Sequence, residues 1–197
     1  MCGKLFGEGS FRDILIGEDP LCESCRSGWI RRRRKFDIEG IPAEGTYLYE
    51  VHFSSCLIQF KECCDEALKD VFLLEEKKRL QRKYRGYTIC LMPSSAEKEK
   101  ERGFHHLRLM YACTGLPMLE PFIRLSDTVQ KKRTGKERRK MEGEIVLKEG
   151  TVLPEKLLLC DDVITTGATI RGALRAIGKG NRKIRIYSVS LHKSWYL

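Results

Sequence analysis

Toward the C-terminal end of the chain, Leu157-Leu158-Leu159-Cys160 is apolar at every position. Successive side chains of a strand point to opposite faces, so such a run needs apolar cover on both sides. It leads without a break into Asp161-Asp162-Val163-Ile164, then Thr165-Thr166-Gly167-Ala168-Thr169, then an apolar-periodic stretch that ends near Ile177. A doubly covered strand, an acid pair, a small hydroxyl-rich loop and a helix in that order predict an α/β fold around a mainly parallel sheet. In such folds ligands bind at the carboxyl ends of the strands.

The rest of the chain fits this frame. Thr46-Tyr47-Leu48-Tyr49-Glu50-Val51 reads as a strand, and residues 54–83 as one or two helices with Leu57, Phe60, Cys64, Leu68, Val71 and Phe72 at helical spacing. Tyr87 to Met92 reads as a short strand stopped by Pro93, Gly103 to Cys113 as a helix, residues 118–125 as a further strand, and Lys183 to Leu191 as the last strand. Residues 1–45 read as irregular, with few apolar positions. Ser126–Gly143 is almost wholly polar and basic, too long for a simple connection, and reads as a loop or lid. The expected organisation is a segment over 1–44 and a domain over 45–197.

The chemistry is concentrated in the Leu157–Thr169 stretch. Thr165, Thr166, Gly167, Ala168 and Thr169 offer successive backbone N–H groups at the positive end of a helix, a suitable cradle for a phosphate monoester. Asp161 and Asp162 are unsuited to phosphate but suited to accept hydrogen bonds from sugar hydroxyls. Carboxylates beside a phosphate cradle suggest a ribose 5-phosphate. The plainer reading is a capped helix start whose acids complement the dipole.

This stretch resembles the phosphoribosyl-pyrophosphate (PRPP) motif of type I phosphoribosyltransferases. Met92-Pro93 with Glu101-Arg102-Gly103-Phe104, Gln130 with Glu137-Arg138, Tyr47-Leu48-Tyr49, and Leu57-Ile58-Gln59-Phe60-Lys61 resemble segments of the ComF branch, whose members are associated with DNA uptake in natural competence. The resemblance runs over roughly residues 45–195. It implies a type I phosphoribosyltransferase-like, doubly wound, mainly parallel sheet preceded by a small cysteine-containing segment. It also implies that Asp161 and Asp162 contact ribose hydroxyls and that Thr165, Thr166, Gly167, Ala168 and Thr169 hold the 5-phosphate of PRPP with its Mg²⁺. The segment after Pro93 would approach the pyrophosphate with Arg102 as a candidate cation, and Gln130 and Arg138 would lie on a hood. The branch has Asn-Gln where this chain has His105-His106, and Lys-Phe-x-Gly where it has Lys61-Glu62-Cys63-Cys64. The histidines read as ordinary helix-surface or partly buried residues, since adjacent positions lack the i, i+4 spacing of a metal pair.

Nine cysteines in a chain with no apparent export signal argue for reduced thiols in the cytoplasm rather than a disulfide framework. Cys22-Glu23-Ser24-Cys25 is half of a zinc site, and Cys2-Gly3-Lys4 resembles the second half of an incomplete first CxxC-Gly knuckle. Three readings of Cys2, Cys22 and Cys25 stand. An upstream cysteine is missing, a fourth ligand comes from elsewhere with His52 and Cys56 as candidates, or the zinc site has decayed. Cys56, Cys63, Cys64, Cys90, Cys113 and Cys160 read as small core residues.

The net charge of +10 falls almost wholly in the second half of the chain and favours polyanionic partners. Lys131, Lys132, Arg133 and Arg139 are nucleic-acid candidates, with Arg138 shared between DNA and PRPP. Arg31-Arg32-Arg33-Arg34-Lys35 reads either as a phosphate contact or as a solvated linker. Tyr84, Tyr87 and Phe104 read either as stacking platforms for single-stranded DNA or as core. No apolar run approaches the roughly 20 residues of a bilayer span, so no membrane insertion is expected. Three functions follow as expectations: a competence protein that binds single-stranded DNA, with PRPP and other competence proteins as further partners; a phosphoribosyltransferase acting on an unknown acceptor; or a PRPP-sensing regulator.

Overall fold

A computed structural model describes residues 19–125, 145–178 and 180–196. Among these, a sheet of six strands runs in the order β1-β2-β8-β7-β3-β4. The strands are β1 (Arg31–Ile38), β2 (Ile41–Leu48), β3 (Thr88–Leu91), β4 (Met118–Leu119), β7 (Lys156–Ile164) and β8 (Lys183–Leu191). Every neighbouring pair is parallel except the edge hairpin β1–β2. Two further strands, β5 (Phe122–Arg124) and β6 (Ile145–Leu147), form a separate antiparallel pair. The expected α/β architecture with a mainly parallel sheet is what the chain adopts.

The central strand explains why. Leu157, Leu158, Leu159 and Cys160 are all buried, so both faces of β7 are covered. It continues four residues beyond the apolar run, so the two aspartates belong to its last turns of pleat rather than to a loop. In the neighbouring β2, Gly45 is required by close approach, because a Cβ there would lie 2.3 Å from Cγ of Leu191.

The helices are α1 (Glu23–Ser27), α2 (Val51–Glu62), α3 (Lys77–Lys83), α4 (Ala96–Arg102), α5 (His106–Ala112) and α6 (Ala168–Ile177), with short 3-10 turns at Glu66–Leu68 and Lys193–Trp195. The strand expected over 46–51 ends earlier. The Glu50 carboxylate accepts from the N–H groups of His52 and Phe53 and starts α2 there. The reading of 118–125 as one strand is also corrected, since Met118–Leu119 joins the main sheet and Phe122–Arg124 pairs with β6.

Residues 31–45 are not irregular. Arg31–Ile38 is the edge strand of the main sheet, and the expected division at residue 44 falls inside β2. The residues just before β1 are docked on the same body. Trp29 is buried among Tyr47, Phe53 and Phe72. Arg26 is bound to Asp19 and to the Val71 carbonyl, 3.0 Å away.

Of the cysteines expected in the core, Cys56, Cys90 and Cys160 are buried and Cys113 is half-buried. Cys63 and Cys64 are exposed, a correction with a local cause. They terminate α2, and Cys64 takes the left-handed conformation (φ 55°) that ends the helix. Tyr84 and Tyr87 are core residues rather than stacking platforms, and Phe104 packs against Phe60 with ring centroids 5.6 Å apart.

Candidate functional site

At the carboxyl ends of β3 and β7 lies a cavity of about 290 Å³. Its lining brings together Asp161, Asp162 and Thr169 from the β7–α6 unit with Pro93, Ser94 and Ser95 from the turn after β3. Those segments are adjacent because β3 and β7 pair in parallel, Leu91 opposite Cys160. Lys61, His106 and Arg124 also line it.

The two aspartates differ sharply. Asp162 is 6% exposed. Its Oδ1 accepts from the Val163 N–H at 2.7 Å, and its Oδ2 accepts from Lys61 Nζ at 2.7 Å and faces His106 Nε2 at 3.2 Å. Burial pushes the Asp162 carboxyl up, but the His106 bond and the Lys61 ammonium override it, so the group is held far below the usual carboxylate range. Asp161 is half-exposed to the cavity, and its Oδ1 accepts from the Asp162 N–H at 3.0 Å. No cation of the described residues lies in ion-pair reach of it. Burial and the neighbouring Asp162 charge raise its carboxyl well above the usual range.

The two histidines part ways. His105 caps α5, its Nδ1 accepting from the Arg108 N–H at 3.3 Å. His106 is buried between Asp162 and Arg102, and its Nδ1 lies 3.1 Å from Nη1 of Arg102. A guanidinium only donates, so Nδ1 carries the lone pair and Nε2–H points to Asp162. Burial, Lys61 and Arg102 lower the pKa of His106, against the raising effect of Asp162. Reading both residues as ordinary histidines therefore holds for His105 and misses His106.

Arg102 itself is buried behind the cavity and is not among its lining residues. Its Nε donates to the Lys61 carbonyl at 2.6 Å.

The loop between β7 and α6 is anchored through its carbonyls. The Thr165 carbonyl accepts from Trp195 Nε1 at 2.6 Å, the Thr166 carbonyl from Arg171 Nη2 at 2.6 Å, and the Gly167 carbonyl from the Arg171 N–H at 2.9 Å. Gly167 opens α6 at φ 77°, a conformation that disfavours a side chain. Thr165, Thr166 and Ala168 are exposed and Thr169 is half-buried toward the cavity.

Lys61, His106 and Arg124 were given no site role by sequence reasoning. Lys61 is the last cation of α2 and meets Asp162 across 101 positions, a pairing without a local signal. Arg124 ends the short strand that leads into the basic stretch 126–143, which was its one available cue. Gln130, Lys131, Lys132, Arg133, Arg138, Arg139 and Cys2 lie outside the described residues.

Cys22 and Cys25 flank the start of α1, and Cys25, His52 and Cys56 line a second cavity of about 240 Å³. Among the described residues no three His, Cys, Asp or Glu side chains converge as a metal site. The donors described thus do not by themselves fit a zinc ion. The Arg31–Lys35 run lies in strand β1 with all five residues exposed, but Arg31 and Arg33 pair with the buried Glu76. The linker reading is therefore corrected. Among the described residues no helix is long and apolar enough to cross a membrane.

No model of a known protein family matches the chain. It is 28% identical over 150 residues to Competence protein ComFC of Bacillus subtilis, an alignment covering 75% of this chain and 62% of that protein. It is 26% identical over 154 residues to Competence protein ComFC of Streptococcus pneumoniae, covering 76% and 68% respectively. The chain thus spans less than two thirds of the first relative's length.

Proposed function

We propose that this protein acts in DNA uptake, as its similarity to two competence proteins suggests, and that it binds PRPP with Mg²⁺ in the β3–β7 cavity and single-stranded DNA on its basic surface. The observation that carries the ligand reading is the convergence of Asp161, Asp162, Thr169 and the Pro93–Ser95 turn on one space. Acids that accept from hydroxyls, a loop at a helix start and a turn at the neighbouring strand end are the parts a ribose 5-phosphate bearing pyrophosphate requires. Lys61 and Arg124 supply cations to the same cavity. The Mg²⁺ is part of the ligand, neutralising its pyrophosphate. The protein residues bind, orient and exclude water around the sugar.

Titration of the full chain with PRPP·Mg²⁺ and with a short single-stranded oligonucleotide, alone and in competition, tests both halves. Asp161→Ala with Asp162→Ala should abolish PRPP binding and leave oligonucleotide binding unchanged or slightly tighter, because negative charge is removed. Neutralising Lys131, Lys132, Arg133, Arg138 and Arg139 should weaken the oligonucleotide and flatten its salt dependence by about 0.7 log units per lost phosphate contact. An unchanged salt slope would remove the 131–139 segment from the DNA surface. Pyrophosphate release in the presence of a nucleobase or amine would instead favour a transferase.

A further inference from the structure

Asp161 and Asp162 are adjacent in sequence and line one cavity, yet their bonding is unequal. Asp162 uses Oδ1 on the Val163 N–H and Oδ2 on Lys61 and His106, and its backbone carbonyl accepts from Ser188 Oγ at 3.2 Å. The groups that hold it also hold one another. Arg102 donates to the Lys61 carbonyl and to His106 Nδ1, His106 Nε2 reaches Asp162, and Lys61 Nζ returns to Asp162. The ring closes across α2, α4, α5 and β7 and leaves the Asp162 carboxylate little capacity for a ligand. Asp161 makes one bond through Oδ1 to the Asp162 N–H and presents the rest of its carboxyl to the cavity. Lys61 has three ammonium donors, of which one is directed to Asp162, and it also lines the cavity.

We propose that the two acids divide the work: Asp162 is a framework carboxylate fixed by Lys61 and His106, and Asp161 with the Lys61 ammonium are the groups that meet the hydroxyl and phosphate oxygens of a sugar phosphate. His106 is then a positioning residue, acting through Asp162 and Lys61. The inference rests on the proposed ligand class, but it predicts properties of the protein alone as well. Two adjacent carboxylates resist joint ionisation. With Asp162 carrying the charge, Asp161 can donate as well as accept, which suits hydroxyl partners.

The test combines PRPP·Mg²⁺ titration of the full chain, thermal melting, and nitrogen NMR of the His106 ring. Asp161→Asn should weaken binding about ten-fold, as expected when a carboxyl that bonds the ligand is replaced by an amide of different donor and acceptor placement, with an unchanged or raised melting temperature. Asp162→Asn should lower the melting temperature and move the His106 Nε2 signal. His106→Leu should weaken PRPP about ten-fold, and His106→Gln, whose amide can donate to Asp162 and accept from Arg102, should restore binding to within about three-fold. If Asp162→Asn does not fold, the wild-type ring still decides the framework. It must be the neutral Nε2–H tautomer at pH 7. An Nδ1–H tautomer, or Asp161→Asn binding like wild type, overturns the division. If the wild type does not bind PRPP at all, the proposed function falls, and the division is judged on the protein alone. Destabilisation by Asp162→Asn but not by Asp161→Asn supports it, and equal effects overturn it.

Discussion

Two buried carboxylate clusters stand out among the described residues, and they are built for different ends. At the sheet edge, Glu76 is fully buried and bound by Arg31, Arg33 and Arg79, while Glu44 is bound by Arg79, Lys83 and the Tyr84 hydroxyl at 2.9 Å. Burial pushes both glutamates up, and the surrounding cations override it, leaving both below the usual range. Each acid there is enclosed by cations. At the β7 end, Asp162 is enclosed in the same way, but the adjacent Asp161 is left beside a cavity, where burial and the Asp162 charge raise its carboxyl. A carboxylate surrounded by cations joins elements, and a surplus carboxyl next to open space is available to a ligand. The edge cluster ties β1 and β2 to α3, whereas the second cluster sets Asp161 beside the cavity with a single bond, to the Asp162 N–H, among the described residues.

Removing the central charge of the edge cluster is the strongest way to break this comparison. Glu76→Gln leaves three guanidiniums crowded around a neutral amide and should cost about 3 kcal/mol, the lower end for breaking a buried ion pair. Urea unfolding measures it. PRPP affinity of the folded protein should be unchanged. If affinity falls with stability, the edge cluster and the cavity are coupled and the contrast fails.

A substitution in the β7–α6 loop, the proposed phosphate cradle, should show the opposite balance. Gly167→Ala places a Cβ at φ 77°, where it would meet Nη1 of Arg171 at 3.2 Å, the flexible end of a side chain that can move. The backbone term should cost about 1–2 kcal/mol in stability. If residues 165–169 hold the phosphate as proposed, binding should suffer more than stability, because the strain falls on the turn just before Thr169, the one of the five that lines the cavity. Melting curves with and without PRPP·Mg²⁺ separate the two. A variant that loses stability while keeping its ligand-induced shift would remove residues 165–169 from the site.

The contrast between the clusters also marks what could be read from the chain in advance. Strand β7, the acid pair, the loop and α6 are contiguous, so their order and periodicity exposed them. The edge strand β1 was missed because Arg31–Lys35 has the composition of a solvated linker. Its pairing with β2 and its ion pairs to Glu75 and Glu76 come from elsewhere in the chain. His106 was passed over for a similar reason. Its partners Lys61 and Asp162 are far from it in sequence and meet only through the parallel pairing of β3 with β7 and the packing of α2 and α5 at that edge. The inequality of Asp161 and Asp162 had no sequence signal at all, since it depends on which of two identical side chains those distant groups reach.

The smallest effect expected is a pH dependence that belongs to one cluster only. His106 faces Asp162 on β7, Lys61 on α2, Arg102 on α4 and the stacked ring of His105, and shares the cavity lining with Asp161. Burial first, and then the charges of Lys61 and Arg102, lower its pKa, so the native state resists protonation. The unfolded chain takes up a proton near pH 6.5 and the folded chain does so only at lower pH. The contribution of the neutral ring is therefore complete above pH 6.5 and is lost as pH falls below it. One proton limits the slope to about 1.4 kcal/mol per pH unit. The carboxylates of Asp162, Glu44 and Glu76 have depressed pKa values, so they add their own loss only as pH falls below about 4. The stability of the wild type relative to His106→Gln, which has no ring to titrate, should thus decline between pH 7.5 and 5.5 by urea midpoints, while the opposing contribution of the raised Asp161 carboxyl is common to both and cancels. His105 caps the same helix and faces Glu99 rather than Asp162, so His105→Gln should leave the wild-type decline in place. If His105→Gln rather than His106→Gln removes it, the buried ring is not the group excluded from protonation, and the framework drawn around Asp162 is wrong.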